Sequence, residues 1–147
     1  ASICRIMSDE SIAAGAFDLK IDNAGLPFRI IEKTASVRSR LTRIPYGDQA
    51  IFVRQSFFKK IGAFSPIPIM EDVDLMRRIK RAGGRIQFIN FSVSTSARRW
   101  EKEGLVRCTL RNWFLMVLYL LGAPPERLAS AYRSHSEGKG KRQGDEA

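Results

Sequence analysis

Apolar and polar positions first alternate regularly over residues 15–21 (GAFDLKI), where Phe17, Leu19 and Ile21 take every second place. This period of two predicts a half-buried strand. Asp22, Asn23 and Gly25 then supply a turn. From Pro27 the period becomes helical, with Phe28, Ile31, Ala35 and Arg38 on one face, and the helix is expected to fade before Pro45. Pro45, Gly47 and Asp48 form a turn into the apolar run 50–53, read as a short buried strand. A brief helix is expected over 55–61, then a loop over 62–70 in which Pro66 and Pro68 preclude regular pairing.

Residues 71–82 (EDVDLMRRIKRA) carry acids in the first turn, bases in the last and Gly83-Gly84 after them, which matches the helix dipole and a glycine stop. Val73, Leu75, Met76 and Ile79 form the expected buried stripe. Residues 86–93 read as another strand, with Ile86, Phe88, Phe91 and Val93 on its apolar side. Residues 105–121 are the most apolar stretch, but the core NWFLMVLYLLGA is about a dozen residues where a bilayer span needs roughly 20. A buried or interfacial helix is predicted there, ended by Pro124-Pro125 and followed by a helical piece over 126–132. Strand, helix, strand in this order predicts an α/β sheet. Residues 1–133 are read as one domain and the small, polar, glycine-containing segment 134–147 as a disordered tail.

Charge changes the picture of what this domain meets. Against 15 Asp and Glu stand 25 Lys and Arg, a formal +10, so polyanions, diphosphates and anionic lipid are all attracted. Cys4 and Cys108 lie far apart without a CxxC pairing, which indicates neither a zinc site nor a disulfide framework, and a reducing compartment is the default. His135, the single histidine, falls in the tail, so no Ser/His/Asp arrangement can be assembled. A GxGxxG or Walker loop is also lacking. The start, Ala-Ser-Ile-Cys-Arg-Ile, resembles the interior of a longer chain more than a targeting segment.

Three constellations carry chemistry. Glu71-Asp72 at a helix start has an ordinary explanation, since carboxylates there favourably offset the dipole by about 0.3–1 kcal/mol. However, the irregular loop SPIPIM delivers the pair to a place where a cleft holds carboxylates partly desolvated, and a carboxylate in that setting takes a proton from an alcohol. Asp72 and Asp74 spell an Asp-x-Asp, yet two residues apart on a helix they diverge and do not share a metal ion. Arg98-Arg99-Trp100 is either a solvated basic face or a diphosphate fork beside an indole able to stack on a sugar ring. Gly47-Asp48-Gln49 is a turn whose carboxylate and amide suit hydroxyl groups.

The segments PYGDQAIFVRQSFFKKIGAF, PIMEDVDLMRRIKRAGGRI and STSARRWEKEGLVRCTLRNWFLMVLYLLGAPPERLASAY resemble, in that order, the C-terminal half of family 2 glycosyltransferases. Within that family the likeness is to the subgroup labelled transferase 2, rSAM/selenodomain-associated, or arsenosugar-biosynthesis glycosyltransferase, and it covers most of residues 15–132. The resemblance implies the acceptor-side half of a GT-A α/β fold, with a mixed sheet and flanking helices. It implies inverting transfer of a sugar from a nucleoside diphosphate sugar to an acceptor hydroxyl. Asp72 would be the general base with Glu71 its neighbour, Arg99 and Trp100 would contact donor diphosphate and acceptor, and Asp48 with Gln49 would line the acceptor side.

A divalent cation, Mg or Mn, is implied for the full-length parent, held by an Asp-x-Asp of the nucleotide-binding half. Residues 1–14 supply neither that half nor its motif, so on this reading the chain is truncated, inactive alone, and leaves a sheet edge for a second copy to cover. The expected location is cytoplasmic, with attachment to the inner face of the membrane left open. The alternative is a non-enzymatic module on an anionic bilayer, with the helix around 113–121 and Arg98, Arg99, Lys102, Arg107 and Arg111 as contacts. Nucleic acid is not an expected partner, because the charge is unaccompanied by a basic-aromatic stacking pattern.

Overall fold

The structure is a computed structural model describing residues 2–137. Elements follow in the order α1 (Ser2–Met7), β1 (Ile12–Ile21), α2 (Leu26–Thr42), one 3₁₀ turn (Gly47–Gln49), β2 (Phe52–Val53), α3 (Gln55–Lys60), α4 (Glu71–Arg81), β3 (Arg85–Thr95), α5 (Arg98–Glu103), α6 (Leu105–Leu120) and α7 (Pro125–Glu137). The sheet is mixed and three-stranded, ordered β2-β1-β3, with β1 antiparallel to β2 and parallel to β3. Helices flank this small sheet, which makes the fold α/β.

The central strand begins three residues before the alternating pattern does. Ile12, Ala13, Ala14 and Ala16 are all buried, because β1 is paired on both edges and covered on both faces. Burial on both faces erases the period of two that announces a half-exposed strand. At Gly15 an added Cβ would lie 2.5 Å from the Gln87 carbonyl oxygen and 2.3 Å from the Phe52 ring, so the strands close only around a glycine.

β3 departs from the expected face. The register jumps between Phe17 and Asp18, from Ile89 to Ser92, which leaves Asn90 and Phe91 in a bulge. Ile89 therefore turns inward and Phe91 is 65% exposed, the reverse of its expected place on the apolar side. Arg40 of α2 stitches the bulge by donating to Asp18 Oδ2 (2.8 Å) and Asn90 Oδ1 (2.9 Å).

Two apolar clusters hold the layers together. In the first, Val73, Leu75, Met76 and Ile79 of α4 meet Ala13, Ala14, Ala16, Ile86 and Phe88 of the sheet, along with Met116 of α6. This is the stripe expected from the α4 sequence. In the second, Phe28, Ile31 and Ala35 of α2 pack on Leu19, Ile21 and Ala97, with the Trp100 indole beside them. The run 50–53 is only partly strand: Ala50 takes a left-handed conformation (φ 46°), and pairing is confined to Phe52 and Val53. α7 reaches Glu137, so it enters the segment read as tail, and the rest of that segment lies outside the described residues.

Candidate functional site

Parallel strands β1 and β3 end side by side at Ile21 and Thr95, and α5 starts three residues beyond Thr95. The carboxyl ends of parallel strands are where α/β sheets leave a crevice. Two adjoining cavities lie in this region. The first, about 550 Å³, is bordered by Thr95, Ser96, Arg98, Arg99, Trp100 and Lys102. The second, about 370 Å³, is bordered by Tyr46, Gly47, Glu71, Asp72, Leu115 and Tyr132. Asp48, Arg99 and Asn112 border both, so the two form the lobes of one cleft.

Five of the six site residues expected from sequence therefore meet: Asp48, Glu71, Asp72, Arg99 and Trp100. Glu71 is exposed, Asp72 half-buried at the first turn of α4. Asp72 Oδ1 accepts from the Val73 N–H (2.7 Å), while Oδ2 accepts from the Gly47 N–H (2.6 Å), 25 positions away. Asp72 is thus a cross-brace between the 3₁₀ turn and α4. Each of its oxygens keeps a further lone pair. The Trp100 indole is half-buried, with part of it packed in the second apolar cluster and part bordering the first lobe. Arg98 borders the first lobe and Arg99 both.

Gln49 is elsewhere. It is fully buried beneath the turn, its Oε1 accepting from the Ser39 hydroxyl (2.6 Å) and the Tyr46 N–H (3.1 Å), and its Nε2 donating to the Phe17 carbonyl (3.2 Å). With its amide engaged at both ends and no part in the lining of either lobe, Gln49 braces Asp48 from below. This corrects the expectation that Gln49 lines the acceptor side.

Tyr46 and Arg38 were not singled out by sequence reasoning. The Arg38 guanidinium stacks 3.5 Å over the Tyr46 ring, and burial lowers the Arg38 pKa while Tyr46, Asp48 and Asp72 oppose the fall. Burial pushes the Tyr46 hydroxyl up to about 12, against the pull of Arg38, so it stays a neutral donor at the cleft wall. Two signals were available: an arginine on the apolar stripe of α2, and a tyrosine adjoining Gly47-Asp48-Gln49.

Asp48 is exposed as a residue, but its exposure is to the cleft, where surrounding protein crowds the carboxyl. Burial raises that carboxyl above its ordinary value; Arg38 draws it down, Asp72 pushes it up and Arg99 draws it down again. A carboxyl raised on folding is more easily protonated in the native state. Its contribution is therefore fully favourable below the unfolded value near 3.9 and is lost as pH rises through the folded value. Asp48→Asn removes the unfavourable charge, together with its attraction to Arg38, and is expected to melt modestly higher than the parent at pH 7. The gain should vanish as pH falls to about 4. A lower melting temperature for Asp48→Asn at pH 7 contradicts this account.

Burial opposes ionisation of Asp74, yet hydrogen bonds from Ser65 and Arg78 outweigh it and hold its carboxyl below the ordinary value. Asp74 faces Ser65, Arg78 and Tyr119, whereas Asp72 faces Gly47. The two diverge as helical spacing requires. Among the described residues no three His, Cys, Asp or Glu groups gather as a metal set. Comparison with family models, with curated proteins and with solved structures finds no match to this chain.

Proposed function

We propose that the cleft is the acceptor-side part of an inverting glycosyltransferase of GT-A type, which moves a sugar from a nucleoside diphosphate sugar to an acceptor hydroxyl. The observation that carries this reading is convergence. Residues 48, 71–72 and 99–100, remote in sequence, border one two-lobed cleft near the carboxyl ends of the parallel strands: Glu71 and Asp72 line one lobe, Arg98, Trp100 and Glu103 the other, and Asp48 and Arg99 both.

In this reading the acceptor hydroxyl enters the lobe lined by Glu71 and Asp72. Asp72, held in one orientation by the Gly47 and Val73 N–H groups, takes its proton. Asp48, whose carboxyl is raised, hydrogen-bonds the acceptor, and Glu71 stands at the mouth. The acceptor oxygen forms its bond to the anomeric carbon as the bond from that carbon to the diphosphate oxygen breaks. The electron pair leaves on the diphosphate, whose charge Arg99 faces from between the lobes. Attack and departure on opposite sides of one carbon invert it. No contact to the nucleotide is assigned on this reading, and no step here is routed through a metal ion.

The test is transfer of labelled sugar from a panel of uridine, guanosine and thymidine diphosphate sugars, catalysed by the product of the whole open reading frame that encodes these residues. Transfer with inverted stereochemistry is expected, and the absence of transfer or of donor hydrolysis with every donor overturns the proposal. Within that assay Arg99→Lys should lower kcat/KM about tenfold more than Arg98→Lys, since Arg99 borders both lobes and a planar fork suits a diphosphate better than a point charge. Equal kinetics for the two variants removes the special place given to Arg99.

A further inference from the structure

α6 has two unlike sides. Cys108, Leu115 and Met116 are buried, and Asn112 and Leu115 border the cleft. Val106, Leu110, Trp113, Val117 and Leu120 recur at helical spacing on the other side, with Phe114 and Leu121 beside them. All seven are exposed, from 41% at Leu120 to 79% at Leu121. At about 100° per residue they fill an arc of roughly 120° that holds no polar residue, and they extend about 22 Å along the helix. An apolar face of this size on a folded domain marks a surface that is covered in use.

Charge decides what covers it. No acidic residue occurs from Gly104 to Pro125, and α6 itself carries only the bases Arg107 and Arg111. Arg111 is engaged by Glu103, but Arg98 and Lys102 of α5, which packs against the start of α6, are exposed. A second copy would set +10 against +10, and of the acids that flank the face in sequence Glu103 is already paired with Arg111 and Glu101 accepts from Asn23, which leaves only Glu126 to offset it. An anionic bilayer offers both missing halves, phosphate and carboxylate headgroups for the bases and acyl chains for the Trp, Phe and Leu side chains. No helix among the described residues is long and apolar enough to cross a membrane, so the contact is one of lying in the surface.

We infer that the exposed face of α6 seats the protein on an anionic membrane surface, with the helix in the interfacial plane and the cleft on the helix's opposite, protein-facing side. The inference does not depend on the transfer reaction. Because Asn112 and Leu115 reach the cleft from the same helix, membrane seating fixes the cleft about one helix diameter, roughly 10 Å, from the headgroups.

Flotation of the 147-residue chain with vesicles tests this, using phosphatidylcholine alone and phosphatidylcholine with a third phosphatidylserine. The chain should float with the phosphatidylserine vesicles, several-fold less so at about 0.5 M salt. Trp113→Ser combined with Phe114→Ser and Val117→Ser, all exposed positions, should reduce binding about tenfold or more with no loss of melting temperature. Quenching of indole emission by lipids brominated in the acyl chain should report the same contact without any substitution. Absence of flotation, absence of quenching, or undiminished binding of the triple variant each overturns the inference. So does a dimer in sedimentation equilibrium that the triple variant dissolves without any vesicle binding by the parent, because a second copy would then cover the face.

Discussion

Asp72→Asn is expected to lower turnover by about 10² to 10⁴ in the product of the whole open reading frame, if the carboxylate accepts the hydroxyl proton. Asparagine caps helices about as well as aspartate, so a cap alone would survive the substitution and only the proton acceptor would be lost. The two N–H groups on Asp72 alter that expectation. An asparagine offers one oxygen and one NH2, so either Gly47 or Val73 must face a donor instead of an acceptor. At this half-buried position the loss is about 1 kcal/mol, a few degrees of melting temperature.

Comparing Asp72→Asn with Asp72→Ala separates the brace from the base. Asparagine keeps one of the two acceptors that meet the Gly47 and Val73 N–H groups, whereas alanine keeps neither, so Asp72→Ala should be the less stable of the two. If Asp72 is the base, both variants lose turnover to the same extent despite their different stabilities. A loss of turnover that instead follows the loss of stability, small for Asn and larger for Ala, identifies the carboxylate as structural only.

The largest expected effect on stability belongs to Gln49→Ala, about 3–5 kcal/mol. Truncation empties a fully buried site and removes one partner each of the Tyr46 N–H, the Phe17 carbonyl and the Ser39 hydroxyl. Each buried group left unsatisfied costs about 1–3 kcal/mol, and for a chain of this length the total corresponds to about 10 °C or more. Thermal melting reads it directly. Gln49→Glu should be comparably harmful at pH 7, where a carboxylate would face the Phe17 oxygen, and should recover part of the loss at low pH, where a protonated carboxyl can donate. A cost below about 1 kcal/mol for Gln49→Ala would mean that the turn under Asp48 is held by something else.

The proposed membrane seat and the cleft share α6, and this relation was only half legible beforehand. The apolar stretch 105–121 announced a helix and its brevity excluded a span, but seven of its apolar side chains face outward. Composition reports how apolar a helix is. Which side it buries depends on what packs beside it, and here that is Cys108, Leu115 and Met116 against the body of the protein.

Helical elements were readable from the chain because their signals are local. The buried stripe of α4, its acidic start and its glycine stop all lie within residues 71–84, and the Phe28-Ile31-Ala35 face of α2 is equally self-contained. The divergence of Asp72 and Asp74 followed from helical geometry alone. Tertiary structure decided the remainder. The start of β1 at Ile12 follows from cover on both faces, the outward turn of Phe91 from a bulge against Asp18, and the bracing role of Gln49 from Ser39 and Phe17. Asp48's raised carboxyl and Asp72's bond to Gly47 likewise arise between segments remote in sequence. Periodicity and capping are set by neighbours within a turn or two of the chain, whereas burial, register and the field at a carboxylate are set by atoms that only folding brings close.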